Sequence, residues 1–157
     1  MDANALSAAA AARTEELPGA QLTHPFGPDW DVYKVRGKVF MLITEITGEP
    51  MATVKSDPAD SRALREAYDD ILPGYHMNKK HWITMTGGGR LDGQMVADLV
   101  TESYLLVVEK LPRAQRPVDP ATFGQDGSSG QDAASGQDAE DSRGGTEREA
   151  PGDRRRL

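Results

Sequence analysis

Cysteine is missing from all 157 residues of the sequence. Its absence excludes disulfide bonds, thiolate metal sites and a cysteine nucleophile, and it fits a reducing compartment. Long apolar runs are missing as well, since the longest one near the N-terminus is the alanine stretch at residues 8–12. A membrane-spanning helix needs about 20 apolar residues. We therefore expect a soluble, cytoplasmic protein that does not bind membranes.

An excess of positive charge is also lacking. The net charge of −7 argues against a protein whose whole surface attracts nucleic acid. The acids are unevenly distributed, however: residues 1–117 hold 13 Lys and Arg against 16 Asp and Glu, whereas residues 118–157 hold 5 against 9. The first segment therefore carries a net charge of −3, and more than half of the negative charge lies after it.

Composition changes sharply near Pro117, which we take as a domain boundary. Residues 118–157 are poor in apolar side chains, and the tripeptide Gly-Gln-Asp begins at residues 124, 130 and 136. A six-residue repeat without apolar positions cannot bury a core. We expect a folded domain over residues 1–117 and a disordered tail, rich in Gly, Gln, Asp and Ser, over residues 118–157.

Helical and strand-like patterns alternate along residues 1–117. An alanine-rich helix, three strands joined by glycine turns, a second helix capped by Asp57, a fourth strand and a long helix capped by Asp92 give the order α-β-β-β-α-β-α. The long helix has the strongest periodicity, because apolar residues recur at helical spacing from Met95 to Leu111. We expect an α+β fold in which an antiparallel sheet packs against helices.

Four motifs carry a family resemblance: Pro-Phe-Gly-Pro-Asp at residues 25–29, Lys-Ser-Asp-Pro at 55–58, Pro-Gly-Tyr-His-Met-Asn-Lys-Lys-His-Trp at 73–82 and Lys-Leu-Pro at 110–112. In the content and order of these motifs, the sequence resembles the MmcQ/YjbR family. The resemblance implies a CyaY-like fold and a double-wing arrangement for DNA binding, and it brings no catalytic residues. We expect a monomeric DNA-binding protein that is not an enzyme and uses no cofactor.

Seven cations and one amide make up the predicted DNA-binding surface. Lys34, Arg36 and Lys38 alternate onto one face of a hairpin if its turn at Gly37 keeps register. Neutralised phosphates supply most of the sequence-independent affinity for DNA, and a projecting wing can follow the backbone. The alternative interpretation is that these are edge-strand cations that discourage aggregation. The full set is Lys34, Arg36, Lys38, Lys55, Asn78, Lys79, Lys80 and Arg90.

A second interpretation uses the loop at residues 75–82 as one wall of a pocket for a small molecule or a partner protein. Its lining would be Tyr75, His76, His81 and Trp82. The alternative is that Tyr75 and Trp82 anchor the core, which is the interpretation we favour for Trp82. His76 and His81 are five residues apart and fall on opposite faces of a strand, so we predict no metal site.

The glycine run at residues 87–89 is a third candidate feature. It lacks the Gly-Lys-Ser/Thr ending of a phosphate-binding loop and precedes no parallel strand unit. We predict a flexible turn without a ligand.

Overall fold

The computed structural model describes residues 1–46, 48–75 and 77–124, and only the backbone of Ile46. Most of the predicted tail therefore lies outside the described residues. Met1–Val118 is one compact unit, and a second begins at Asp119. None of the described helices has the length and hydropathy of a membrane span. The elements are α1 (Ala3–Thr14), β1 (Ala20–Thr23), β2 (Trp30–Val35), β3 (Lys38–Ile46), β4 (Glu49–Lys55), α2 (Pro58–Ala67), β5 (Ile71–Pro73), β6 (Trp82–Met85), α3 (Gly93–Glu109) and a 3-10 turn (Arg113–Gln115).

Six strands of the described residues form one antiparallel sheet in the spatial order β1-β2-β3-β4-β6-β5. The predicted meander is β2, β3 and β4, and β6 returns beside β4 after α2. The edge strands β1 and β5 were not predicted, because both are short and β5 ends in a proline. An edge position tolerates proline since one side of the strand needs no hydrogen bonds. The α+β class and the predicted order are confirmed, with two strands added.

The core lies where α1 and α3 pack against each other and against the sheet. Met41, Val54 and Ile83 form a cross-strand row and are fully buried. Phe40 meets Tyr104 of α3 edge to face, with ring centroids 5.6 Å apart. Such aromatic pairs stabilise beyond the area that they bury. This packing fixes α3 across β3 and β4, and with it the position of the C-terminal end of α3 relative to the strands.

Two helices begin where their capping residues predict. Asp57 Oδ1 accepts a hydrogen bond from the Ala59 amide at 3.0 Å, and Asp92 Oδ1 accepts one from the Met95 amide at 2.8 Å. Both carboxylates satisfy amides that no carbonyl of their own helix can reach. The cap at Asp57 starts α2 directly after β4, so that the helix leaves the sheet at the end where β4 finishes.

Two of the three glycines after β6, Gly87 and Gly89, form a packing joint, whereas Gly88 has open space beside it. The prediction of a flexible turn did not include this packing role. A Cβ at Gly87 would lie 2.3 Å from the backbone nitrogen of Ala3, and one at Gly89 would lie 2.3 Å from Cγ of Asp70. Asp70 is buried, and its Oδ2 accepts a hydrogen bond from the Leu91 amide at 2.9 Å. The close approach of α1 and of this carboxylate requires residues without a side chain.

Candidate nucleic-acid interface

The β2–β3 hairpin turns through two residues with positive φ, Arg36 at 50° and Gly37 at 79°. This combination is typical of a type I′ turn, whose twist matches that of the strands it joins. The left-handed backbone conformation of Arg36 costs about 1–2 kcal/mol. Its Nε donates a hydrogen bond to the carbonyl of Gln115 at 2.9 Å. The hairpin tip is thereby tied to the segment that follows α3.

Lys34 and Lys38 do not share a face of the hairpin, which corrects the prediction. Lys34 pairs with Val39, and Val35 pairs with Lys38. Paired residues project to the same side, whereas neighbours along a strand project to opposite sides. The alternation expected from the sequence fails because the chain reverses at Arg36, which lies in the turn and outside the ladder. Lys34 and Lys38 therefore leave the hairpin on opposite sides, close to the same tip.

Six of the predicted cations nevertheless lie at one end of the sheet. Because the strands are antiparallel, β2 and β4 finish at this end, and β3 and β6 begin there. The hairpin tip, the end of β4 and the β5–β6 loop thus share one end of the sheet. We name this region the basic end and define it by Lys34, Arg36, Lys38, Lys55, Lys79 and Lys80.

Lys55 is positioned by an aromatic ring. It pairs with Trp82 across β4 and β6, and its Nζ lies 5.7 Å from the centroid of the Trp82 ring. At this distance the ammonium is attracted by the negative face of the ring. Trp82 itself is only 7% exposed. The indole therefore belongs to the core and orients Lys55, which agrees with the core-anchor alternative for this residue.

The β5–β6 loop presents Asn78, Lys79 and Lys80 at the surface. Asn78 stabilises the loop. Its Oδ1 accepts a hydrogen bond from the Lys80 amide at 2.8 Å, and its carbonyl accepts one from the His81 amide at 3.2 Å. The His81 carbonyl in turn accepts a hydrogen bond from the Ser56 amide at 2.8 Å. These bonds hold the two lysines beside the end of β4.

The remaining residues of the alternative pocket differ in how exposed they are. Tyr75 is half-buried, and its amide donates a hydrogen bond to Thr84 Oγ1 at 2.9 Å. His81 is exposed, and His76 lies outside the described residues. The indole of Trp82 is buried, so among the described residues of this predicted lining Tyr75 and His81 reach solvent.

Arg90 lies at the other end of the sheet, so its inclusion in the predicted surface is wrong. Arg90 lies beyond Met85, the last residue of β6, whereas β6 begins at the basic end. Its guanidinium donates a hydrogen bond to the carbonyl of Ala67, and its Cζ lies 4.7 Å from the centroid of the Tyr68 ring. Sequence order could not reveal this, because Arg90 is separated from Lys79 and Lys80 by the full length of a strand.

Acids lie near both ends of the sheet: Asp57 and Asp60 are beside the start of α2 at the basic end, and a larger group lies at the opposite end. Exposed or half-buried acids accompany the strand ends opposite the basic end: Asp29, Asp31, Glu45, Glu49 and Asp69. Within the described residues, the ion pairs are Arg13–Glu16 at 3.3 Å and His24–Asp31 at 2.9 Å. No described carboxylate therefore lies within 4 Å of a side-chain nitrogen of the basic end.

A depression of about 400 Å³ opens at the basic end, where α3 finishes above the first residues of β3 and the last residue of β4. Three lysines and three apolar side chains line it: Lys38, Lys55, Lys110, Val39, Val107 and Leu111. Sequence reasoning missed Lys110. Its only signal was its place in the Lys-Leu-Pro motif, which says nothing of its distance from a hairpin far earlier in the chain.

An acidic cluster lies next to the start of α2. Burial raises the pKa of Glu102, and Asp60 raises it further by charge repulsion and a side-chain hydrogen bond, with a smaller effect from Asp57. A carboxyl that loses water and faces other carboxylates is held towards its neutral form. Among the described residues, none of these acids lies within 4 Å of an ammonium group that lines the depression.

Comparison with known proteins shows which family the chain resembles. The YjbR family model matches residues 15–106. An uncharacterized protein of Escherichia coli O157:H7, YbdF, is 44% identical over 121 residues, which cover 76% of this chain and 99% of the relative. The uncharacterized protein YjbR of Escherichia coli strain K12 is 32% identical over 90 residues, covering 56% of this chain and 76% of the relative.

A solved structure supports the same fold. The crystal structure of Deinococcus radiodurans protein DR2400, which contains the domain DUF419, has a TM-score of 0.62 to this chain at 34% sequence identity. The similarity covers 67% of this chain and 80% of that protein. This coverage is large enough to regard the sheet and the helices as a fold that the two proteins share.

Proposed function

The chain belongs to the YjbR family, and from this premise we propose that it is a DNA-binding protein whose basic end contacts the phosphate backbone. One observation carries the proposal: antiparallel pairing brings cations from the hairpin, from the end of β4 and from the β5–β6 loop to one end of a net acidic domain. No described carboxylate lies within 4 Å of their side-chain nitrogens. A local positive field of this kind attracts a polyanion although the overall charge is negative.

The two projecting parts of the basic end have a spacing that suits a duplex. The hairpin tip leads into β3, and the loop with Lys79 and Lys80 leads into β6. In the sheet, β4 lies between β3 and β6. Neighbouring strands lie about 4.8 Å apart, so β3 and β6 are separated by roughly 10 Å. The major groove of B-DNA is about 12 Å wide. The tip and the loop therefore fit as two wings, each beside one backbone strand.

The contacts proposed here are of the kind that carries little sequence information. Lysine and arginine side chains neutralise phosphates and release condensed counterions. If all six cations contribute, the slope of log K against log salt concentration is about −5, and affinity falls roughly 1000-fold between 50 and 200 mM salt. We expect duplexes of equal length and different sequence to bind with similar affinity.

Fluorescence anisotropy of a labelled duplex across a salt series tests the proposal. Lys79→Gln and Lys80→Gln should each weaken binding and reduce the salt slope by about 1, because each removes one phosphate contact. Arg90→Gln is the matched control: it removes one positive charge at the opposite end and should leave the slope unchanged. A circular dichroism melt checks that each variant is folded.

Two results would refute DNA binding at the basic end. The first is an absence of binding at 20–50 mM salt. The second is an equal loss of affinity in Arg90→Gln and Lys80→Gln, which would show that net charge alone governs the interaction. The alternative role, a pocket at residues 75–82 for a small molecule or protein, is disfavoured by the burial of Trp82 beneath Lys55.

A further inference from the structure

We propose that the depression lined by Lys38, Val39, Lys55, Val107, Lys110 and Leu111 is a binding site for a small organic phosphate. Its volume of about 400 Å³ lies at the lower end of the range for small-molecule sites. Apolar side chains from β3 and α3 supply a surface for an uncharged body, and three ammonium groups supply the counter-charge. The depression shares Lys38 and Lys55 with the basic end, but Lys110 belongs to the depression alone, so its ligand can be tested separately from DNA binding.

The walls of the depression are joined by one buried hydroxyl. Ser103 of α3 is fully buried, and its Oγ donates a hydrogen bond to the carbonyl of Phe40 in β3. The same oxygen accepts a hydrogen bond from the Lys55 amide at 2.8 Å. Ser103 therefore ties together β3, β4 and α3, the three elements that provide the lining. A site on fixed elements loses little conformational entropy when a ligand binds.

The lysines differ in how firmly they are held. Lys55 lies against the Trp82 ring, with its Nζ 5.7 Å from the centroid. Lys38 and Lys110 are exposed. None of the three has a described carboxylate within 4 Å. Three such charges around one concavity repel one another, and an anion relieves that repulsion as it binds.

The C-terminal end of α3 does not repel an anion as strongly as a bare helix end. The last carbonyls of a helix carry a partial negative charge that disfavours anions. Here the Arg116 guanidinium donates a hydrogen bond from Nη2 to the carbonyl of Glu109, the last residue of α3, at 2.7 Å, and one from Nε to the Leu111 carbonyl just beyond the helix at 3.0 Å. The positive charge of Arg116 thus offsets the helix end beside Lys110.

Phosphate suits this set of donors better than carboxylate. Lysine is a compact point charge that binds phosphate oxygens, whereas carboxylates are matched best by the planar fork of arginine. The apolar half of the lining favours a ligand whose body is flat or aliphatic. A nucleoside monophosphate combines both features in one molecule, and adenosine 5′-monophosphate is therefore the probe.

Isothermal titration of the full chain with three probes tests the inference. Adenosine 5′-monophosphate should bind at least fivefold more tightly than inorganic phosphate or adenosine, since only the monophosphate uses both the lysines and the apolar surface. Lys110→Gln should weaken that binding at least fivefold. Lys80→Gln is the matched control, because it removes a basic-end charge outside the depression and should leave the affinity unchanged.

Three outcomes would overturn the inference. One is the absence of binding by adenosine 5′-monophosphate, and another is equal affinity for inorganic phosphate, which would indicate charge attraction alone. The third is an equal loss in Lys80→Gln and Lys110→Gln. Each is distinguishable from a failure of DNA binding, which is read from the duplex assay and from Lys79→Gln and Lys80→Gln.

Discussion

Replacement of Ser103 by alanine tests the connection on which the basic end depends. The Ser103 hydroxyl lies between two strands: it donates to the Phe40 carbonyl and accepts from the Lys55 amide at 2.8 Å. Alanine leaves both backbone groups without this partner. Ser61 in α2 provides a matched control, since it is also fully buried, yet its Oγ has no hydrogen-bond partner among the described residues.

The two serines should respond in opposite directions. A buried carbonyl left without a donor costs about 1–3 kcal/mol, and the half-buried Lys55 amide adds about 1 kcal/mol. The higher helix propensity of alanine offsets about 0.5 kcal/mol of this loss. We therefore expect Ser103→Ala to lower the free energy of unfolding by about 2–3 kcal/mol. Ser61→Ala removes an unsatisfied hydroxyl and should be neutral or stabilising by about 1 kcal/mol.

Urea denaturation followed by circular dichroism measures both effects. With an m value of about 2 kcal/mol/M, the midpoint of Ser103→Ala should fall by roughly 1 M, while that of Ser61→Ala should stay or rise. The m values of the two variants should match that of the parent chain. A loss below about 0.5 kcal/mol for Ser103→Ala, or equal losses for both serines, would refute the role assigned to the Ser103 hydroxyl.

Two further predictions concern an acid and a glycine. The raised pKa of Glu102, caused by burial and then by Asp60, means that the native state favours the neutral carboxyl, so its stabilising effect is present at low pH and is lost as pH rises through the native pKa. Thermal melts should thus find Glu102→Gln more stable than the parent chain at pH 7.5, with a smaller difference at pH 4, and an equal difference at both would contradict the assignment. Gly89→Ala should destabilise by about 1–3 kcal/mol, because its Cβ would lie 2.3 Å from Cγ of Asp70. Gly93→Ala, whose Cβ would approach only one methionine methyl at 4.0 Å, should be neutral or stabilising in the same melts, and equal losses at the two glycines would refute the packing joint.

Local patterns were sufficient for most of the fold. The apolar periodicity of α3, the caps at Asp57 and Asp92 and the glycine of the β2–β3 turn each depend on residues close together in the chain, and the structure has them where the sequence predicts. The family was also readable, since its motifs are contiguous strings of residues. Edge strands β1 and β5 were missed because short, singly paired strands carry no alternation of their own.

The site depended on tertiary structure in ways that no local pattern records. Whether Lys34 and Lys38 share a face was decided by the two-residue turn, and whether Arg90 joins Lys80 was decided by the length of β6. Lys110 and Lys38 line the same depression because α3 crosses the sheet and finishes above β3. The sequence by itself determined the helices, the inner strands and which cations are available. Only the packing of those elements decided which charges share one end, because that depends on distances between residues far apart in the chain.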